Sequence, residues 1–262
     1  MNASVTHGSI RRWGKERRRP ALNLVCFPHA GGCASLFRDW ADVLPEDINL
    51  LAVQLPGRED RWGEPPHTEV RPLVAEVAAD LAPYLDRPFA VFGHSLGALL
   101  AFEVCCHLEK NQSQAPVSLF ASAAPTPSSR KRTRRFHLLP DAQLVSELHK
   151  MGGIPHTILK NPELLLLMLP TLRADFKLYE TQMRPSGEVL GAPIMAFGGA
   201  LDRQVSWVDL QGWRRHTVRY LGARMFPGGH FFIHQNRDHL LRVITAALHR
   251  RPRSATLVKG NR

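Results

Sequence analysis

The sequence has no long hydrophobic run, little cysteine, and fewer acidic than basic residues. A helix that crosses a bilayer needs about 18 or more consecutive apolar residues, and no run here is that long. Residues 1–20 are basic but contain no apolar stretch, which is unlike a secretory signal. We therefore expect a cytoplasmic protein without a membrane partner.

Cysteine is scarce, with 4 residues among 262, and none of them stands in a C-x-x-C pair. Zinc sites and dithiol redox motifs in proteins typically use such pairs. Cys26 and Cys33 are separated along the chain, whereas Cys105 and Cys106 are adjacent. The pattern favours buried free thiols and predicts no metal site.

Acidic residues number 23 against 34 Lys and Arg, which gives a net charge of +11. The excess is local, because residues 1–19, 130–135 and 250–262 hold 16 basic residues and one acidic residue, leaving 18 basic and 22 acidic residues elsewhere. A nucleic-acid-binding domain spreads basic and aromatic residues over an ordered face. We interpret the clusters as solvated segments and expect no nucleic-acid partner. The functional alternative is electrostatic attraction of an acidic partner.

Short apolar strands alternate with amphipathic helices beyond residue 20, in a chain that is 44% hydrophobic and 22% charged. The predicted strands are Asn23–Phe27, Ile48–Leu55, Phe89–Phe92, Val117–Ala124, Pro193–Gly198 and Val218–Phe226. The predicted helices are Val70–Leu85, Ala98–Glu109 and Leu240–His249. This alternation is typical of a mostly parallel central sheet with helices on both faces, an α/β fold.

The alternation divides the chain into three parts. Residues 1–20 are predicted to be a flexible basic arm, residues 21–250 an α/β domain, and residues 251–262 a basic tail. Within the domain, residues 126–191 contain the leucine-rich stretch Leu164–Leu172 but no convincing strand. Because a structureless loop of that length is uncommon in a compact domain, we predict an inserted helical lid.

The segment Gly93-His94-Ser95-Leu96-Gly97 fits the pattern G-x-S-x-G and lies between a predicted strand and a predicted helix. That setting is the one that a nucleophile elbow requires. Side chains two residues to either side of the serine would collide with the strand and helix, so glycine occupies both places. The pattern predicts that Ser95 is a nucleophile on an α/β-hydrolase fold.

A serine hydroxyl needs a base to take its proton, and the base needs an orienting carboxylate. In this fold the three follow in the order serine, acid, histidine. His230 directly follows a predicted strand near the C-terminus and is the favoured base; His234 and His239 are the alternatives, and His94 is interpreted as a packing residue. His230 and His234 also have the spacing of a metal pair, but no third ligand is evident.

Asp202 ends a strand and turn before His230 and is the favoured acid, with Asp209 as the alternative. An oxyanion hole should hold the charge that develops on the carbonyl oxygen during attack. Its expected donors are the backbone N–H groups of Leu96, at the start of a helix, and Ala30, in the loop after the first strand.

Six stretches in this order resemble the type II thioesterases that serve polyketide and nonribosomal peptide synthetases, whose animal relative releases medium-chain fatty acids from fatty acid synthase. They extend over about residues 22–250 and are Phe27–Gly32 (FPHAGG), Leu55–Glu59 (LPGRE), Phe92–Gly97 (FGHSLG), Met151–Gly153 (MGG), Leu169–Asp175 (LPTLRAD) and Pro227–Phe231 (PGGHF). The elbow alone is common to many hydrolases, whereas its combination with the first two stretches is specific.

The resemblance implies an α/β-hydrolase fold with a helical lid, a triad of Ser95, His230 and Asp202, and oxyanion donors at Ala30 and Leu96. It also implies acyl groups presented on the phosphopantetheine arm of acyl or peptidyl carrier proteins, so that the enzyme needs no cofactor of its own. The expected task is editing, in which acyl units are removed from stalled or wrongly loaded synthases. The enzyme is expected to be a monomer.

Two other functions remain open at this point. One is a carboxylesterase or lipase on the same fold, and the other is a carrier-binding module without catalysis. The basic arm and residues 130–135 lie outside the pattern of the family. As a hypothesis, they assist docking of an acidic carrier protein.

Overall fold

The computed structural model describes residues 4–14, 17, 20–112, 114–129, 135–153, 160–182 and 187–250. Its strands are β1 (Ser4–His7), β2 (Ile10–Trp13), β3 (Leu22–Phe27), β4 (Ile48–Val53), β5 (Phe89–His94), β6 (Leu119–Ser122), β7 (Ile194–Gly199) and β8 (Tyr220–Phe226). They form one eight-stranded sheet in the order β1-β2-β4-β3-β5-β6-β7-β8. The pairs from β4 to β8 are parallel, whereas β2 is antiparallel to both β1 and β4.

Helices cover both faces of this sheet. They are α1 (Val70–Leu81), α2 (Leu96–Gln112), α3 (Asp141–Lys150), α4 (Pro162–Lys177), α5 (Trp207–Gln211), α6 (Phe232–Gln235) and α7 (Arg237–His249). Successive residues of a strand point to opposite faces, so Val25 and Phe27 of β3 join a core with α1 and α2, whereas Leu24 and Cys26 join a core with α7. The prediction of a mostly parallel sheet between two layers of helices is confirmed.

The hairpin of β1 and β2 corrects the prediction of a flexible arm over residues 1–20. Ser4–Trp13 extends the sheet at one edge instead. Ile10 is fully buried, and the guanidinium of Arg11 pairs with the carboxylate of Asp60 at 2.7 Å. Arg11, one of the residues that suggested a solvated arm, is itself only 5% exposed and is neutralised by this ion pair.

The inserted segment, residues 126–191, contains α3 and α4 in its described part. A small core of its own joins the two helices through Leu144, Leu148, Leu169 and Leu172. Leu164, Leu166 and Leu167 are exposed on α4. Residues 130–134 and 251–262, which hold most of the two remaining basic clusters, lie outside the described residues.

Two sequence predictions concern the cysteines and membrane-spanning helices. All four cysteines are free; Cys26, Cys105 and Cys106 are buried and Cys33 is half-buried. Among the described residues, no helix is long and apolar enough to cross a membrane.

Candidate active site

Ser95 is the single residue between the end of β5 and the start of α2. Its φ is +57°, in the left-handed region that a non-glycine residue adopts at a cost. A Cβ atom on Gly93 would lie 2.2 Å from the carbonyl oxygen of Gly97, and one on Gly97 would lie 2.4 Å from that of Phe27. Only glycine fits at both positions, so the sequence folds here into a sharp bend that projects the serine.

Ser95, His230 and Asp202 form one continuous hydrogen-bonded chain. Nε2 of His230 lies 3.0 Å from Oγ of Ser95, and Nδ1 of His230 lies 2.8 Å from Oδ2 of Asp202. The side chain of Asp202 is fully buried and that of His230 is 8% exposed. The structure therefore brings together the three side chains that the sequence predicts as nucleophile, base and acid.

Backbone groups hold the carboxylate of Asp202 from its other side. Its Oδ1 accepts hydrogen bonds from the N–H groups of Gln204 at 2.8 Å and Val205 at 3.3 Å. The turn after β7 thus fixes the carboxylate, and the turn after β8 presents the imidazole to it. The alternative acid, Asp209, instead forms a capping box with Ser206 at the start of α5.

The two alternative bases, His234 and His239, take no part in the hydrogen-bonded chain. His234 stacks on Phe231 at 6.3 Å between ring centroids, and His239 packs against the edge of Phe226 at 5.1 Å. Both nitrogens of His230 are engaged by Ser95 and Asp202. In the part of the chain that is described, no group of three or more His, Cys, Asp and Glu is arranged to hold a metal ion.

The two expected oxyanion donors lie on neighbouring segments. Leu96 is the first residue of α2, so its N–H has no acceptor within the helix. A Cβ atom on Gly97 would lie 2.4 Å from the carbonyl oxygens of both Phe27 and Pro28. The start of α2 therefore packs against the backbone that leads into the loop of Ala30. Among the described residues, none accepts a hydrogen bond from the N–H of Ala30.

A buried ion pair, which the sequence reasoning did not single out, lies beside this loop. The guanidinium of Arg58 makes two 2.9 Å hydrogen bonds to the carboxylate of Asp175, one to each oxygen. Their side chains are only 5% and 1% exposed. In the sequence, Asp175 is a carboxylate among the apolar residues of α4, which could have indicated a buried charge. Its partner lies 117 positions away in the chain, so the sequence does not indicate the pair.

Two histidines beside the site have strongly lowered pKa values. Burial lowers the pKa of His94 well below its usual value, and the neighbouring His230 lowers it further. Desolvation lowers the pKa of His29 to about 4. Nδ1 of His94 lies 2.9 Å from the hydroxyl of Ser122. Both rings are therefore neutral at neutral pH and add no positive charge next to the base.

The lowered pKa of His94 makes the stability of the fold depend on pH. The unfolded chain takes up a proton on this ring below pH ~6.5, whereas the folded chain does not. The free energy of unfolding should be fully retained above that pH and should decrease below it, with a contribution of at most about 1.4 kcal/mol per pH unit. Urea unfolding between about pH 8 and pH 5 measures this slope, which should be smaller in His94→Asn. Equal slopes in both proteins would contradict the assignment.

The arrangement is suited to acyl transfer. A hydroxyl, an imidazole and a carboxylate in sequence activate the oxygen as a nucleophile. Two backbone N–H groups on neighbouring segments are available for a negatively charged oxygen.

Comparison with known proteins identifies the family. The thioesterase domain family matches residues 22–248. The chain is 38% identical over 220 residues to gramicidin S biosynthesis protein GrsT of Aneurinibacillus migulanus, covering 84% of this chain and 86% of that protein. It is 33% identical over 218 residues to the medium-chain S-acyl fatty acid synthase thioesterase of Homo sapiens, covering 81% of each.

A solved structure of a type II thioesterase, BorB from the borrelidin biosynthetic cluster, superposes with a TM-score of 0.83 at 34% identity, covering 94% of this chain and 99% of that one. The sequence match and the superposition agree over nearly the whole domain. The predicted α/β-hydrolase fold is confirmed by this likeness. The chain belongs to the thioesterase family, as its resemblance to the type II thioesterases of polyketide and nonribosomal peptide synthesis predicted.

Proposed function

We propose that this thioesterase hydrolyses acyl groups from the phosphopantetheine arm of acyl or peptidyl carrier proteins, through an acyl-enzyme on Ser95. The observation that carries the proposal is the chain of hydrogen bonds from Ser95 through His230 to Asp202. The names of the relatives support the substrate class, because they include a gramicidin S biosynthesis protein, a type II thioesterase of the borrelidin biosynthetic cluster and a medium-chain S-acyl fatty acid synthase thioesterase.

The first half of the reaction forms the acyl-enzyme. Ser95 gives its proton to Nε2 of His230 as Oγ attacks the thioester carbon. The carbonyl oxygen becomes an oxyanion that accepts hydrogen bonds from the N–H groups of Ala30 and Leu96. When the carbonyl re-forms, the carbon–sulfur bond breaks and the carrier thiol leaves with the proton from His230.

The second half releases the acid. His230 takes a proton from a water molecule, whose oxygen attacks the ester carbon of the acyl-enzyme. The same two N–H groups hold the second oxyanion, and Ser95 leaves with the proton from His230. Water is the only other reactant, so the proposed reaction requires no enzyme-bound cofactor.

Asp202 orients the base in both halves. The Nδ1–H of His230 donates to Asp202, which fixes the tautomer that leaves Nε2 free to accept a proton. The buried carboxylate also stabilises the imidazolium that forms in each step. All three side chains come from one chain, which supports the proposal that a monomer is sufficient.

The partner that we propose is a carrier domain of a synthase, and the task is editing. Removal of stalled or wrongly loaded acyl units from the arm frees the thiol for another round. The name of the medium-chain S-acyl fatty acid synthase thioesterase likewise specifies an S-acyl group.

Matched substrates test the proposal. The same acyl group should be offered as a carrier-protein thioester, as a pantetheine thioester and as an oxygen ester. We expect kcat/KM to be highest for the carrier thioester and lowest for the oxygen ester, with acid and free carrier thiol formed in equal amounts. Faster hydrolysis of the oxygen ester would indicate a carboxylesterase instead. No hydrolysis of any substrate would indicate a binding module.

A further inference from the structure

The peptide group between Ala30 and Gly31 is held from both sides. Its N–H, on Gly31, donates a 2.7 Å hydrogen bond to Oδ2 of Asp175, and its carbonyl oxygen, on Ala30, lies 2.9 Å from Nδ1 of His29. Gly31 has a φ of +72°, a conformation that favours glycine. Two side chains therefore fix this loop, in a left-handed conformation at Gly31 that glycine readily adopts.

Asp175 belongs to the inserted segment, not to the sheet domain. It lies in the last turn of α4, where the helix dipole disfavours a negative side chain. Replacing a buried ion pair by well-packed apolar residues is often neutral or stabilising, so the pair with Arg58 does not by itself account for a carboxylate here. The hydrogen bond to the Gly31 N–H gives the carboxylate another role.

Arg58 fixes the direction of that carboxylate. Besides its two bonds to Asp175, its Nη1 donates to the carbonyl oxygen of Gly32 at 3.2 Å. The same guanidinium thus bonds to α4, through Asp175, and to the loop, through the carbonyl oxygen of Gly32. α4 also packs against the backbone at Gly31, because a Cβ there would lie 2.4 Å from Cδ2 of Leu172.

We propose that Asp175, held by Arg58, is a positioning residue that aims the N–H of Ala30 at the oxyanion. The inference rests on the proposed function, because it gives that N–H its role in catalysis. Fixing the peptide after Ala30 limits rotation of Ala30 and so sets the direction of the N–H before it. The inserted helix thereby completes the oxyanion hole through the carboxylate of Asp175.

Asp175→Asn tests the proposal, with Thr171→Val as the matched control. Thr171 is buried one turn earlier on α4, and its hydroxyl donates to the Gly57 carbonyl at 2.8 Å instead of to the loop of Ala30. Asp175→Asn should lower kcat by about 10- to 100-fold with little change in KM, because a misplaced donor acts on the transition state. Thr171→Val should keep a kcat close to that of the wild type.

A trifluoromethyl ketone of the same acyl chain separates positioning from general damage. Ser95 adds to its carbonyl and His230 takes the proton, so that an oxyanion occupies the proposed hole. The affinity for this ketone should fall in Asp175→Asn by the same factor as kcat/KM, whereas the affinity for a non-hydrolysable amide of the substrate should not. A loss confined to KM, or equal effects of the two substitutions, would overturn the proposal.

Arg58→Lys keeps the test decisive if Asp175→Asn fails to fold. Lysine retains the positive charge but cannot bind both carboxylate oxygens in the same geometry. It should lower kcat and ketone affinity together, by about tenfold. Wild-type values of both in a folded Arg58→Lys would overturn the proposal.

If the wild-type protein hydrolyses no acyl thioester, the proposed function fails. If it does and these variants match it, only the positioning role fails.

Discussion

Ser95→Ala is expected to lower kcat for hydrolysis of an acyl-carrier thioester by about 10⁶-fold, the loss that removal of the nucleophile produces in a serine protease. The hydroxyl is the only group that the substitution removes, and without it no acyl-enzyme can form. The residual rate should come from the oxyanion donors acting on a water molecule. Steady-state release of the carrier thiol, measured at saturating substrate, gives the ratio directly.

The fold should tolerate this substitution. The bend at position 95 depends on Gly93 and Gly97, which remain, and alanine at φ +57° is no more strained than serine. Ser206→Ala is the matched control, because it removes a serine hydroxyl that caps α5 outside the site. It should cost about 1 kcal/mol of stability and leave kcat unchanged. Ser95→Ala with a substantial fraction of wild-type activity would reject the covalent mechanism.

Asp202→Asn is expected to lower kcat by about 10⁴-fold, as the equivalent change does in a serine protease. An amide has nearly the same shape, but its N–H₂ group can donate to Nδ1 of His230. The proton then resides on Nε2, so the ring can no longer accept one from Ser95. KM should change little, since substrate binding does not use this carboxylate.

Asp209→Asn provides the control for that prediction. Asp209 was the alternative acid, but its carboxylate accepts from the N–H of Ser206 at 2.7 Å in the capping box of α5. The amide oxygen of asparagine can still accept that hydrogen bond, so the substitution should cost little stability and have little effect on kcat. If Asp209→Asn reduced kcat as strongly as Asp202→Asn, the assignment of the orienting carboxylate would be wrong.

The sequence predicts those parts of the site that depend on local sterics and chain order. Gly93 and Gly97 indicate the bend because any side chain there would meet backbone atoms. Asp202 and His230 are indicated because each follows a strand, and parallel strands bring their carboxyl ends to one edge of the sheet. The buried strands are also predictable from local sequence, because both of their faces are apolar.

Other features depend on contacts between distant residues and have weak local signals. The hairpin of Ser4–Trp13 lies within the basic N-terminal stretch, and its pairing with β4 and the ion pair between Arg11 and Asp60 make it part of the sheet. Arg58 and Asp175 lie in two of the stretches that carry the family resemblance, but nothing in the sequence indicates that they pair. Their burial follows from how α4 packs on the loop after β3, which periodicity does not specify.

Labelling with a fluorophosphonate tests the central claim most directly, namely that His230 activates the hydroxyl of Ser95. An activated serine oxygen attacks the phosphorus atom of the reagent and displaces fluoride. The phosphonyl group then marks the residue that reacted. Peptide mapping of the labelled wild-type protein should place the phosphonyl group on Ser95, and His230→Ala should lose most of the labelling rate. A wild-type protein that stays unlabelled, that is labelled elsewhere, or that reacts as fast without His230 would contradict the account.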